Sequence, residues 1–184
     1  MIDNPGKAPV GISSCLLGEQ VRYDGGHKYD LLINTQLAHL FEFRPCCPEV
    51  AIGLGIPREP IQLIRTDHGI HVRGVNNPDI DVTRRLEVYG NSLAREFADV
   101  CGYIFKARSP SCGIERVATW TEQGDQAESE GTGAFAAALL RAHPDLPVTD
   151  EARLQDPVLR EHFIESVFAR YRKHHPAAPR HASS

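Results

Sequence analysis

Hydrophobic and polar positions alternate along this chain in two rhythms. Short apolar runs close on Gly, Ser or Pro, and between them apolar residues return every three or four positions. "APVGISSC" is one such run and predicts a buried strand from Val10 to Ser14, ending at Cys15. "LLGEQVRYDGGHKYD" then turns through Gly18, Gly25 and Gly26. A helix is expected from about Tyr29 to Phe41, with Leu32, Leu37, Leu40 and Phe41 facing inward. "PCCPEVAIGLGIPREP" is dense in Pro and Gly and reads as a shaped loop, with short strands following at "IQLIR" and "GIHVRG".

Further on, Val82, Leu86, Tyr89, Leu93, Phe97 and Val100 recur at spacings of four, three, four, four and three. That places them on one face of a helix, with Asp81 as a candidate N-cap. "GYIFKARSPSCG" predicts a strand from Tyr103 to Lys106 running straight into a turn that holds Cys112. "TEQGDQAESEG" is acidic with almost nothing apolar and is expected as a mobile loop. "TGAFAAALLRAH" predicts a helix, "LPVTD" a short strand, and the stretch from about Pro157 to Arg172 a last helix carrying Leu159, Phe163, Val167 and Tyr171. The tail from Lys173 to Ser184 is expected to be disordered. Strands alternating with helices predict an α/β fold of three layers, a mostly parallel sheet flanked by helices, Rossmann-like and forming a single domain. Ligands in such folds gather where loops leave the carboxyl ends of strands. Cys15 and Cys112 each follow a predicted strand, so both are expected at one rim, with Cys47 within reach of it.

Composition narrows the class. The 184 residues suffice for one well-packed domain. With 20 Lys and Arg against 24 Asp and Glu, the net charge of −4 speaks against wrapping DNA by charge alone, though a local basic groove remains compatible. No apolar run is long enough to span a bilayer, and "MIDNPGKAPVGISS" lacks the charged-then-apolar pattern of a signal peptide. A cytoplasmic protein without a membrane partner is expected. Five cysteines, an odd number, in a chain of this kind argue against a disulfide framework and leave metal binding, catalysis or burial.

Cys15, Cys47 and Cys112 form the first candidate constellation. Three thiolates from three loops can hold an iron–sulfur cluster with one iron free, or a zinc with an open position. Free cysteines also occur simply as small buried hydrophobes, and spacing alone does not separate these readings. Cys46 and Cys47 are adjacent, and neighbouring side chains leave the backbone in different directions, so the two are not expected to serve one site. Glu49, just beyond, has the chemistry of a general base beside a metal, or of a solvated loop carboxylate. In "SPSCG", Ser109 and Ser111 can hydrogen-bond a ligand next to the Cys112 sulfur, or satisfy their own turn. "SCLLGEQVR" has too long a Cys-to-Arg spacing for a phosphatase loop. "GTGAFAAALL" lacks the dinucleotide fingerprint and reads as an entry turn.

Three stretches together resemble a known family. "ISSCLLGEQVRYDGGHK", "CPEVAIGLGIPREPIQL" and "FKARSPSCGIERV" are similar to the three signature blocks of the thiouracil desulfidases, in that family's order, over roughly residues 8 to 150. The resemblance implies a 4Fe–4S cluster held by Cys15, Cys47 and Cys112, with the fourth iron free for substrate sulfur. Cys46 takes the aliphatic place in the family's second block and is left to packing. The implied activity replaces the thiocarbonyl sulfur of a thiolated pyrimidine (thiouracil, 4-thiouridine or its monophosphate) with oxygen and releases hydrosulfide. Glu49 would activate the water, and Ser109 or Ser111 would hold developing charge or the ring edge.

Residues 1–150 are then the catalytic domain. Residues 151–172 resemble the linker and first helix of the two-domain relatives that act on 4-thiouridine in transfer RNA. With no RNA platform evident, a small base or nucleotide is expected as partner in preference to tRNA. Arg22 and Lys28 are candidates to meet a nucleotide phosphate, and Arg58 and Lys106 are weighed with them against ordinary ion pairing. From a different class, a non-catalytic iron–sulfur or zinc module for redox sensing or sulfur delivery is the alternative, and it has no need of Glu49.

Overall fold

The computed structural model describes residues 6–176, apart from the side chains at 128–130. Its strands are β1 (Ala8–Ser13), β2 (Phe41–Cys46), β3 (Ile61–Thr66), β4 (Gly69–Gly74), β5 (Gly102–Phe105), β6 (Val117–Thr121), β7 (Gln126–Gly131) and β8 (Val148–Asp150). Its helices are α1 (Leu31–Thr35), α2 (Pro48–Ala51), α3 (Thr83–Glu96), α4 (Ala134–Ala142) and α5 (Pro157–His174).

The strands form two sheets. In the first, ordered β2-β1-β5-β8, every pairing is parallel, so all its carboxyl ends lie along one edge. β1 sits inside it and is buried along its whole length, as a continuous apolar run in a parallel sheet requires. Alternation sorts side chains to the two faces. Tyr103 and Phe105 pack with Phe135 of α4 and Leu86 and Leu93 of α3, whereas Ile104, Val10 and Ile12 pack with Ile33 of α1 and Phe163 and Val167 of α5. Helices therefore cover both faces, and the expected three-layer α/β fold with a parallel sheet is what forms. α3 and α4 touch closely at Gly90, where a Cβ would stand 2.8 Å from that of Ala138.

The second sheet, β4-β3-β6-β7, was not foreseen as a separate unit. It is mixed, with antiparallel β3–β4 and β6–β7 pairs joined by a parallel β3–β6 pair. Leu63, Val72 and Val117 turn its inner face toward α3 and α4.

Local departures from expectation have physical causes. The helix expected to Phe41 stops after α1 and a short 3-10 turn at Leu37–His39, and Phe41 opens β2 instead. β2 lies on the sheet edge, where Pro45 removes no needed ladder bond, so a proline-bearing stretch that read as loop is a strand. The acidic stretch expected as a mobile loop pairs through its backbone as the β6–β7 hairpin, an edge that needs few apolar side chains. Asp81 is placed one position early for the N-cap of α3: Val82 holds that position, while Asp81 still accepts from the Thr83 backbone N–H at 3.0 Å. α5 runs to His174, into the tail predicted from Lys173, and residues 177–184 of that tail lie outside those described.

Candidate active site

Each strand of the parallel sheet delivers chemistry at its carboxyl end. β1 leads into Ser14 and Cys15, β2 into Cys47 and Glu49, β5 into Lys106, Ser109, Ser111 and Cys112, and β8 into Glu151. In-register pairing of Ser13 with Cys46 and of Ile12 with Ile104 brings the first three departures together. They converge on a cavity of about 440 Å³ whose wall includes Cys15, Cys47, Cys112, Glu49, Ser109 and Ser111. Its volume falls among small-molecule sites, which run to about 300–1,000 Å³.

The turn carrying Ser109 to Cys112 is held by the start of α4. Gly133 donates its backbone N–H to the Gly113 carbonyl at 2.7 Å, and Ala136 donates to that of Ser111 at 3.1 Å. The free N–H groups of a helix start are thus spent on the turn's carbonyls and not on an anion. Gly133 permits the approach, because a Cβ there would stand 2.4 Å from the Ser111 carbonyl carbon.

Hydrogen bonds in the cavity have a definite direction. Ser111 Oγ donates to Glu49 Oε1 at 2.6 Å. A hydroxyl has one proton, so the 3.0 Å contact between the two serines must be donated by Ser109. Ser109 Oγ in turn accepts from the Cys112 backbone N–H at 3.1 Å. On the other side, Arg58 Nε donates to Glu49 Oε2 at 2.8 Å, with the arginine side chain only 4% exposed. Glu49 lies in the first turn of α2, a short helix within the stretch expected to be a shaped loop.

Five cationic residues line the cavity (Arg22, Lys28, Arg58, Lys106 and Arg108) against one carboxylate, Glu49. They are not equivalent. Arg58 is paired to Glu49, and Lys106 to Glu151, whose other oxygen accepts from the Ala107 backbone N–H at 2.8 Å. Arg22 lies over the Tyr23 ring, 3.9 Å from Asp24. Lys28 and Arg108 have no carboxylate partner among the described residues. Of the four cations weighed from sequence, Arg58 and Lys106 are therefore held in close ion pairs, Arg22 makes a longer contact with Asp24, and Lys28 lines the cavity without a carboxylate partner among the described residues.

The thiols sit in a buried, cation-bearing setting. Burial pushes Cys15 up to about 11, against the downward pull of Lys106 and Arg22. Burial raises Cys47, and it raises Cys112 well above the ordinary thiol value. Binding a soft metal centre would draw off these protons, and the surrounding cations favour the thiolates that result. Among the described residues no three His, Cys, Asp or Glu side chains already stand together as ligands to a single ion. All three cysteines line the one cavity, so they are available together to a multi-iron cluster held through separate irons. Cys46 also borders the cavity, but its sulfur is turned to the Tyr89 hydroxyl at 3.3 Å. Cys101 is fully buried elsewhere, its Sγ directed to the Asp99 carbonyl.

A parallel sheet whose carboxyl edge brings three cysteines, a carboxylate and two serines into one cavity defines a thiol-lined α/β site of a particular kind. The 2-thiouracil desulfurase family model matches residues 10–151, and the chain belongs to that family. It is 31% identical to the uncharacterized protein YbbK of Bacillus subtilis (strain 168), over 71% of this chain and 89% of that protein. Among solved structures, the 4Fe–4S-dependent thiouracil desulfidase TudS is 31% identical and superposes with a TM-score of 0.64, covering 85% of this chain and 97% of TudS. The family expected from the three sequence blocks is borne out, as is the α/β fold. No described helix is long and apolar enough to cross a membrane.

Proposed function

We propose that this protein is a desulfidase that exchanges the thiocarbonyl sulfur of a thiolated pyrimidine for oxygen, with a 4Fe–4S cluster held by Cys15, Cys47 and Cys112. The observation that carries the reading is the convergence of those three cysteines with Glu49 on one cavity. A cluster with three protein ligands supplies a soft Lewis acid at its fourth iron, suited to sulfur.

The chain's own groups do the rest. Glu49 accepts a proton from the water that attacks the ring carbon, using a lone pair left free by Ser111 and Arg58. Ser111, itself buried, orients Glu49, and Ser109 orients Ser111, so the serines act through the carboxylate. The balance is thiocarbonyl plus water giving carbonyl, hydrosulfide and a proton, with no electron transferred. Arg22 and Lys28 in the cavity wall attract an anionic group on the substrate, such as a nucleotide phosphate. A cavity of about 440 Å³ suits a free base or nucleotide better than tRNA, and we read the protein as cytoplasmic.

The test is iron and acid-labile sulfide per chain on protein purified without oxygen. We expect about four of each, lost in Cys15→Ala, Cys47→Ala and Cys112→Ala and kept in Cys46→Ala. Turnover of 2-thiouracil and of 4-thiouridine monophosphate by the wild type should follow. Stoichiometric zinc, or cluster retained in the three variants, would overturn the assignment.

A further inference from the structure

We infer that Arg58 is the residue that positions Glu49 for its work as a base and that it takes no part in holding substrate. This rests on the desulfidase reading above. The guanidinium is almost wholly enclosed and its donors diverge to three acceptors: Nε to Glu49 Oε2 at 2.8 Å, Nη1 to the Gly55 carbonyl at 3.0 Å and Nη2 to the Val21 carbonyl at 2.8 Å. Its backbone N–H adds a fourth tie, to the Tyr23 carbonyl at 2.9 Å. One side chain thus joins the segment after Cys15, the turn before Arg58 and the carboxylate beside Cys47.

Glu49 is consequently gripped on both oxygens from opposite partners, Ser111 and Arg58, and cannot rotate without leaving a buried guanidinium unpaired. Val21 O is also the acceptor nearest the Cys47 thiol, at 3.7 Å, so the same guanidinium braces the carbonyl that Cys47 leans on. A planar fork is needed for three divergent bonds, and an ammonium cannot reproduce it. Although Arg58 borders the cavity, three of its five N–H donors are committed within the protein and only 4% of the side chain is exposed, so it has little to offer a substrate phosphate, in contrast to Lys28 and Arg108.

The experiment is a double-mutant cycle of Arg58→Lys and Glu49→Gln, read in two ways. On the cluster-loaded enzyme, Arg58→Lys should lower kcat by about 100-fold with KM changed less than about threefold, the pattern of a misplaced catalytic group. On the Glu49→Gln background the same substitution should cost less than about threefold more, because its effect passes through Glu49. On the cluster-free protein, urea unfolding midpoints should show the two substitutions coupled and not additive. A raised KM with kcat intact, or a full loss repeated on the Glu49→Gln background, overturns the inference. So does additivity in the unfolding midpoints. If Arg58→Lys does not fold, the unfolding cycle is run with Arg58→Gln in its place: coupling to Glu49→Gln supports the role and additivity refutes it. A wild type without iron or turnover would defeat the desulfidase reading, and the unfolding cycle would still report on the Arg58–Glu49 tie.

Discussion

At the carboxyl edge of the parallel sheet, Cys15, Cys47 and Cys112 and the Arg58–Glu49 pair ring a cavity. Toward the amino edge, Cys101 and Asp99 lie in the connection entering β5, and Arg44 reaches Asp99 from β2. The residue types match, yet their surroundings do not. Arg44 and Asp99 make two parallel bonds of 2.7 and 2.6 Å, but with side chains 34% and 54% exposed. Water and ions screen such a pair, so its worth is at most about 1 kcal/mol. The Arg58–Glu49 pair is longer at 2.8 Å and nearly enclosed, so desolvation offsets much of its attraction while its geometry is fixed. Length and residue type therefore say little about what an ion pair does. The edge on which it stands says more, because four parallel strands release their loops toward one place and enter from the other.

The sharpest way to break this comparison is to neutralise each carboxylate in turn. Glu49→Gln should lower kcat by about 100- to 10,000-fold, the range for loss of a general base, while iron per chain is unchanged. Asp99→Asn should leave kcat within about twofold, the change expected of a group remote from the reacting atoms. Rates measured on loaded protein decide it. Equal losses in the two variants would mean that the edge does not matter.

A smaller effect is expected from crowding each edge by one methyl group. Alanine at Gly133 would place its Cβ 2.4 Å from the Ser111 carbonyl carbon, and alanine at Gly102 would place its Cβ 2.7 Å from Val167 Cγ2. Neither glycine has a positive φ, so the clash alone is at issue. Each substitution should destabilise by about 1–3 kcal/mol, the usual range for overpacking. Only Gly133→Ala should also slow turnover, by up to about 100-fold, because it displaces the serine that holds Glu49. Unfolding midpoints and kcat on the folded fraction separate the two outcomes, and a turnover defect in Gly102→Ala would count against the division.

The same contrast explains what could be read from the sequence. Cys15 and Cys112 were legible as neighbours because β1 and β5 are interior strands, whose compact apolar runs end abruptly in Ser and Gly turns. Cys47 was harder. Its strand, "FEFRPC", is an edge strand with only its two end residues buried, so no continuous apolar run marks it. β7 hid for a related reason: an edge strand contributes backbone, and its acidic side chains carry no apolar signal. Arg58 was visible as a cation but not as the partner of Glu49. That contact depends on the path of the chain through Gly53 and Gly55, both at positive φ, which bends residue 58 back on residue 49. No periodicity encodes such a return. Which of Arg22, Lys28, Arg58 and Lys106 stays unpaired likewise depends on the carboxylates met in three dimensions.

Acid gives the gentlest probe of the contrast, because Asp99 belongs to the amino edge and does not line the cavity that holds Cys15, Cys47 and Cys112. Hydrogen bonding from Arg44 holds the Asp99 carboxyl below its ordinary value. A carboxylate depressed in the folded state adds stability that is present above its unfolded pKa, about 3.9, and lost as pH falls through the folded value. Wild type should therefore exceed Asp99→Asn in stability by no more than about 1 kcal/mol at neutral pH. The gap should close as pH drops below about 4, and it should narrow at high salt, since both partners are screened. Urea unfolding of the cluster-free protein at several pH values measures it. A gap that survives unchanged in strong acid would show that Asp99 acts through packing and not through its charge, and the amino edge would then resemble the carboxyl edge in holding shape more than charge.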